Sequence, residues 1–73
     1  MPDYPFEYDL NVYVIGDDHY ESAYYTYQKK AYRRRRKVAK QTWQDTTPVE
    51  IDKAEFWMVV ACIDMMREHR WER

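Results

Sequence analysis

The residues of this sequence that could do chemistry are few, and their spacing argues against catalysis. Cys62 is the only cysteine, and His19 and His69 are the only histidines. Cys62 stands inside an apolar run with no basic neighbour to lower its pKa, so a buried, inert core thiol is expected. One thiol and two distant histidines fall short of a four-ligand zinc set, and no metal or cofactor is expected. His19, beside Asp17, Asp18 and Glu21, reads as a capping or solvated residue. His69, among Arg67, Glu68 and Arg70, reads as part of a charge-laced helix end. No pair of carboxylates is isolated in apolar surroundings, as acid–base work requires. Gly16 is the only glycine, which excludes phosphate-cradling loops built on close backbone approach. A binding domain, not an enzyme, is expected.

Binding chemistry is better supplied. The net charge of −1 hides a segregation. Residues 1–28 carry six acids and no Lys or Arg, residues 29–40 carry eight bases and no acid, and residues 41–73 carry seven acids and four bases. Such asymmetry points to an electrostatic partner or to internal pairing. Read as a helix, the basic segment puts Lys29, Arg33, Arg36 and Lys40 on one face, with Tyr25, Tyr32 and Trp43 along it. Cations interleaved with planar rings suit single-stranded nucleic acid or an acidic protein groove. The alternative is a solvated face partly neutralised by the acidic N-terminal segment. Lys29, Tyr32, Arg33, Arg34, Arg35, Arg36, Lys37 and Lys40 are the expected contact residues.

The elements that must position them follow from periodicity. Phe6, Tyr8, Leu10, Val12 and Val14 alternate with polar residues, predicting a half-buried strand over residues 6–15, ended by Gly16. Leu10 and Val12 are expected in the core. An open edge along Tyr8, Leu10, Val12 and Val14 could accept a partner strand, or Glu7 and Asp9 could guard it. Asp18 and Glu21 read as a capping box opening a helix to about Gln44. In that helix Tyr20, Tyr24, Tyr27, Ala31, Val38 and Thr42 share a core stripe roughly 60° wide. Thr46-Thr47-Pro48 breaks it, and Val49–Ile51 reads as a short second strand. Asp52 and Glu55 form a second capping box, with Ile51 and Phe56 as its hydrophobic staple. A start after Thr47, with Pro48 at N1, is the alternative. The last helix ends near Arg70. Apolar nearly all round, it is either the core spine or a spine with Trp57, Met58 and Met65 spare for a protein partner.

The expected architecture is a single α+β domain of β-α-β-α order, with residues 1–5 as a flexible tail. At this length only about 60% of the unfolded chain's surface is buried, so eight Tyr, three Trp and two Phe must supply much of the core. The longest apolar run, Phe56 to Ile63, is well short of the about twenty residues a membrane span needs. Acids stand where the basic n-region of a secretory leader would be. No leader and no membrane association are expected.

The opening Met1-Pro2-Asp3-Tyr4-Pro5, the strand end Val12-Tyr13-Val14-Ile15-Gly16 and the basic core Ala31-Tyr32-Arg33-Arg34-Arg35-Arg36-Lys37 carry a likeness. In a chain of this length they resemble the small antitermination factors of lytic Xanthomonas phages. The resemblance spans the whole chain and assigns no individual residue a role. It implies a protein of the bacterial host cytoplasm that binds host RNA polymerase at the N-terminal part of β′. Nascent RNA or elongation factors are candidate further partners, and a monomer is expected, with dimerisation through the spare face of the last helix left open. Such a factor suppresses intrinsic termination and inhibits promoter-dependent initiation. The residues alone leave two other readings open. One is a small DNA- or RNA-binding regulator acting through its arginines. The other is an inhibitor of a different host complex, its acidic N-terminal strand mimicking nucleic acid.

Overall fold

The stretch expected as one long helix folds as a β-hairpin. The computed structural model describes residues 4–71 as four strands and one α-helix: β1 (Val12–Gly16), β2 (Tyr20–Tyr27), β3 (Lys30–Lys37), β4 (Val49–Ile51) and α1 (Lys53–Trp71). The strands form one antiparallel sheet in the order β1-β2-β3-β4. The β-α-β-α expectation is therefore wrong: the fold is α+β, but with a four-stranded sheet followed by a single C-terminal helix.

Local chemistry explains the difference. Tyr20-Glu21-Ser22-Ala23-Tyr24-Tyr25-Thr26-Tyr27 is rich in the aromatic and β-branched residues that pleated surfaces favour. Aromatics on both faces hide its period of two, while Tyr20, Tyr24 and Tyr27 happen also to satisfy a helical stripe. The basic run gains from extension as well. In a helix, like charges three and four apart sit about 5–6 Å from one another and repel. In β3 the four arginines alternate between two faces, which separates neighbouring charges.

The turn between β2 and β3 consists of Gln28 and Lys29, both with positive φ (50° and 67°). That is the type I′ geometry whose twist matches paired strands, though Asn-Gly is its usual sequence. At the other hairpin, Asp17 Oδ1 accepts the backbone N–H groups of His19 (2.8 Å) and Tyr20 (2.9 Å). Asp17 is thus the turn-forming residue, and Asp18 caps no helix. Gly16 packs so closely on β2 that a Cβ would lie 2.3 Å from the Tyr20 carbonyl oxygen.

The sheet carries a layer on each side. On one side Phe56 and Val60 of α1 pack with Ala31, Tyr13, Tyr24 and Ile51. Ile51 and Phe56, the expected staple residues, belong to this one cluster, and α1 starts directly after Asp52, whose carbonyl accepts the Phe56 N–H at 3.0 Å. On the far side residues 4–10 cross the sheet as a non-strand segment. Phe6 lies 4.6 Å from the Tyr25 ring, centroid to centroid, and Tyr4 and Trp43 complete the aromatic layer. The strand expected over residues 6–15 is consequently only its second half. Leu10, expected in the core, is 84% exposed. Of the expected flexible tail, residues 1–3 lie outside the described residues, whereas Tyr4 and Pro5 sit in this layer.

Candidate functional site

Register decides what each arginine can do. Residues opposite one another in an antiparallel pair share a face, so Arg34 and Arg36 join Ala23, Glu21 and Tyr25 on the far face. Arg33, Arg35 and Lys37 join Tyr24, Ser22 and Tyr20 on the helix side.

The far-face pair is consumed by the fold. Arg34 Nε donates to the Tyr25 hydroxyl (3.1 Å), and its Nη1 donates to the Thr46 carbonyl (2.9 Å), Thr46 Oγ1 (3.2 Å) and the Trp43 carbonyl (3.3 Å). Its guanidinium lies 4.6 Å above the Phe6 ring. Ala23, the smallest side chain on this face of β2, is paired with Arg34 and leaves it room. Arg36 donates twice to Glu21 Oε1 (2.9 and 2.6 Å) and also to the carbonyls of Gln41 (2.8 Å) and Val38 (3.3 Å), above Trp43. These two arginines stitch residues 38–46 to the sheet.

The helix-side cations are differently placed. Arg33 approaches Glu55 only to 4.0 Å. Arg35 is exposed, its guanidinium 4.6 Å over the ring of Tyr20, which is itself 41% exposed. Lys37 and Lys40 are exposed and form no ion pair among the described residues. A shallow hollow of about 280 Å³ brings Lys37, Lys40, His19 and Tyr20 together. Asp17, whose carboxyl the N–H groups of Tyr20 and His19 hold below the ordinary carboxylate range, stands near Arg35. The result is a cationic face with one exposed ring, able to meet phosphates or carboxylates and to stack.

The expected contact residues are thus divided. Lys29 stands exposed in the β2–β3 turn, and at about 3.3 Å per residue β3 separates that end from Lys37 by roughly 23 Å. Tyr32 is half-buried on the far face, stacked on Tyr25 at 5.7 Å. Of Tyr25 and Trp43, expected as exposed rings, Tyr25 is 3% exposed and Trp43 is half-buried beneath Arg36. Arg33, Arg35, Lys37 and Lys40 stay together; Arg34 and Arg36 leave the set. Tyr20 joins it, although helical periodicity assigns it to the core. Its signal was the two-residue spacing Tyr20-Ser22-Tyr24-Thr26.

Of the expected docking strand, Val12 and Val14 lie in β1, whereas Tyr8 and Leu10 precede it. β1 is an edge strand, paired on one side only among the described residues. Along α1, Phe56, Val60 and Ile63 are buried, while Trp57 (60%), Met58 (68%) and Met65 (56%) are exposed. Cys62, expected to be buried, is exposed with them, because no second layer covers that side of the helix. Side chains from residue 68 onward, including His69, lie outside the described residues. Among the described residues no cluster of His, Cys, Asp and Glu could hold a metal ion, and no helix is long and apolar enough to cross a membrane. No protein-family model, no curated protein and no solved structure matches the chain.

Proposed function

We propose that this chain is a binding module that acts on bacterial RNA polymerase, at the N-terminal part of β′, in the host cytoplasm. There it suppresses intrinsic termination and inhibits promoter-dependent initiation, without catalysing a reaction. The choice of partner rests on the resemblance to phage antitermination factors. The observation that carries the mode of action is the division of the basic run. With Arg34 and Arg36 committed internally, Arg35, Lys37 and Lys40 project beside Tyr20, with Arg33 on the same face. A cationic surface with an exposed aromatic ring fits an acidic or phosphate-bearing surface of a transcribing polymerase, including the emerging transcript.

The test is the combined variant Arg33→Gln, Arg35→Gln, Lys37→Gln and Lys40→Gln in a purified transcription assay with an intrinsic terminator. It is expected to fold normally and to lose readthrough and polymerase binding together. Full readthrough by the folded variant would move the functional surface elsewhere, to the β1 edge or to Trp57, Met58 and Met65. A DNA-binding regulator would instead bind duplex in the absence of polymerase. With about six phosphate contacts, that binding would lose roughly a thousandfold between 50 and 200 mM salt.

A further inference from the structure

Across the sheet from the basic face lies a second surface of opposite character. Two adjoining hollows of about 610 and 400 Å³ share Pro5, Phe6, Glu7 and Tyr27, forming an elongated groove along the N-terminal segment. Its walls are rings: Phe6 and Tyr8 from the segment, Tyr27 and Tyr32 from the sheet. Its charged lining is Glu7 and Asp9 along the N-terminal segment, with Arg34 at the sheet side. Glu7 accepts the Tyr27 hydroxyl proton with Oε2, and Asp9 accepts the Gln28 N–H with Oδ1 at 3.2 Å. The second oxygen of each carboxylate accepts no hydrogen bond among the described residues. Register adds Glu50, opposite Tyr32, on the same face.

We propose that this groove binds an extended, cationic peptide segment of a partner protein, seating an Arg or Lys side chain between the tyrosine rings and the carboxylates of Glu7 and Asp9. Rings attract a cation through their quadrupole, most strongly where water is displaced, and a carboxylate beside them adds a charge-assisted hydrogen bond. The protein already uses this chemistry within itself, where the Arg34 guanidinium rests on Phe6. Arg34 also lines the groove, but its Nε and Nη1 donors are turned to Tyr25, Trp43 and Thr46 and its guanidinium rests on Phe6. Register also puts Lys30, opposite Tyr27, and Arg36 on this face, Arg36 being bound to Glu21 and not lining the groove. The acids of the groove repel phosphate, so stacked rings here select peptide over nucleic acid. The inference stands whether or not the partner is RNA polymerase, because it uses none of the residues of the basic face.

The test is a titration of the isotopically labelled full chain, followed by NMR, with three probes. These are the capped peptide Gly-Arg-Pro-Arg-Pro-Gly, the same peptide with citrulline for arginine, and oligouridylate. The arginine peptide is expected to shift the amides of Tyr8, Asp9, Tyr27 and Tyr32, and the citrulline peptide is not. Glu7→Gln retains an acceptor for the Tyr27 hydroxyl and is expected to weaken binding about tenfold, equivalent to about 1.4 kcal/mol. Tyr27→Phe keeps the ring and is expected to weaken it less. Equal binding of both peptides, oligouridylate in the groove, shifts confined to the Arg33–Lys40 face, or no shift at all would overturn the proposal. Unchanged affinity of the Glu7→Gln variant would do the same. Should either variant unfold, the comparison of the two peptides on the native chain decides.

Discussion

Arg34 and Arg35 are neighbours in sequence with the same side chain, yet they belong to different parts of the molecule. Arg34 reaches down onto the far face, gives its protons to the Tyr25 hydroxyl and to residues 43–46, and covers Phe6. Arg35 projects from the helix side, where Tyr20 is its one described neighbour in a ring contact. Arg36 and Arg33 repeat the contrast, one doubly bonded to Glu21 and the other at the limit of an ion pair with Glu55. The lesson concerns charge runs in general. In a strand, consecutive cations are two independent sets, and one set can be structural while the other remains free for a partner.

The largest expected effect lies on the far face. Arg34→Ala removes four hydrogen bonds and the cover over Phe6, leaving the Thr46 carbonyl without its donor, and should destabilise the fold by about 2–4 kcal/mol. Urea denaturation measures this. Arg34→Lys should recover little, because an ammonium cannot span the same planar fork. Arg34→Ala as mild as a surface substitution would collapse the distinction between the two faces.

Next comes the turn that sets the alternation. Gln28→Asn with Lys29→Gly relieves two non-glycine residues of positive φ and should stabilise the protein by about 1–2 kcal/mol. Were this stretch helical, the introduced glycine would instead cost about 1 kcal/mol. The sign of the change in thermal melts therefore tests the hairpin directly.

The helix-side arginine should barely register in stability. Arg35→Gln is expected to change it by less than about 0.5 kcal/mol, so any loss of activity it causes reports on binding. A clear drop in the melting temperature would show that Arg35 too is structural.

The smallest effect is a dependence on pH. Asp17's carboxyl is held below its usual range by the N–H groups of Tyr20 and His19. The stability it contributes is therefore present above the unfolded value near 3.9, and is lost as pH falls through the lower folded one. Tyr27 works in the opposite sense. Its hydrogen bond to Glu7, with partial desolvation, raises its pKa above 10.0. Its contribution is present below the unfolded value and is lost as pH rises through the folded one. Asp17→Ala should flatten the acid limb and Tyr27→Phe the alkaline limb of the stability profile, read from thermal melts across pH.

Much was readable without coordinates, and the parts that were share a cause. The start of α1 after Asp52, the burial of Ile51 and Phe56 in one cluster and the short strand at Val49–Ile51 depend on residues close together in sequence. So does the β character of Val12-Tyr13-Val14-Ile15. The residues between Asp18 and Gln44 were not legible in the same way. Their tyrosines and arginines fit a period of 3.6 nearly as well as a period of 2, and Gln28-Lys29 is an unusual sequence for a tight turn. Cys62 and Leu10 were misplaced because an apolar residue is assigned to the core only if another layer exists to cover it.

The amino-acid sequence by itself determined the separation of charge into acidic, basic and acidic segments, the aromatic supply for the core, and the local starts and stops that neighbouring side chains control. Tertiary structure alone decided which arginines are free. That choice depends on strand register, which pairs Arg34 with Ala23 and Arg36 with Glu21. It depends equally on residues 38–46 folding back to offer their carbonyls. Both are non-local contacts, and a shift of one residue in register would exchange the two faces, turning the structural arginines outward and the free ones in.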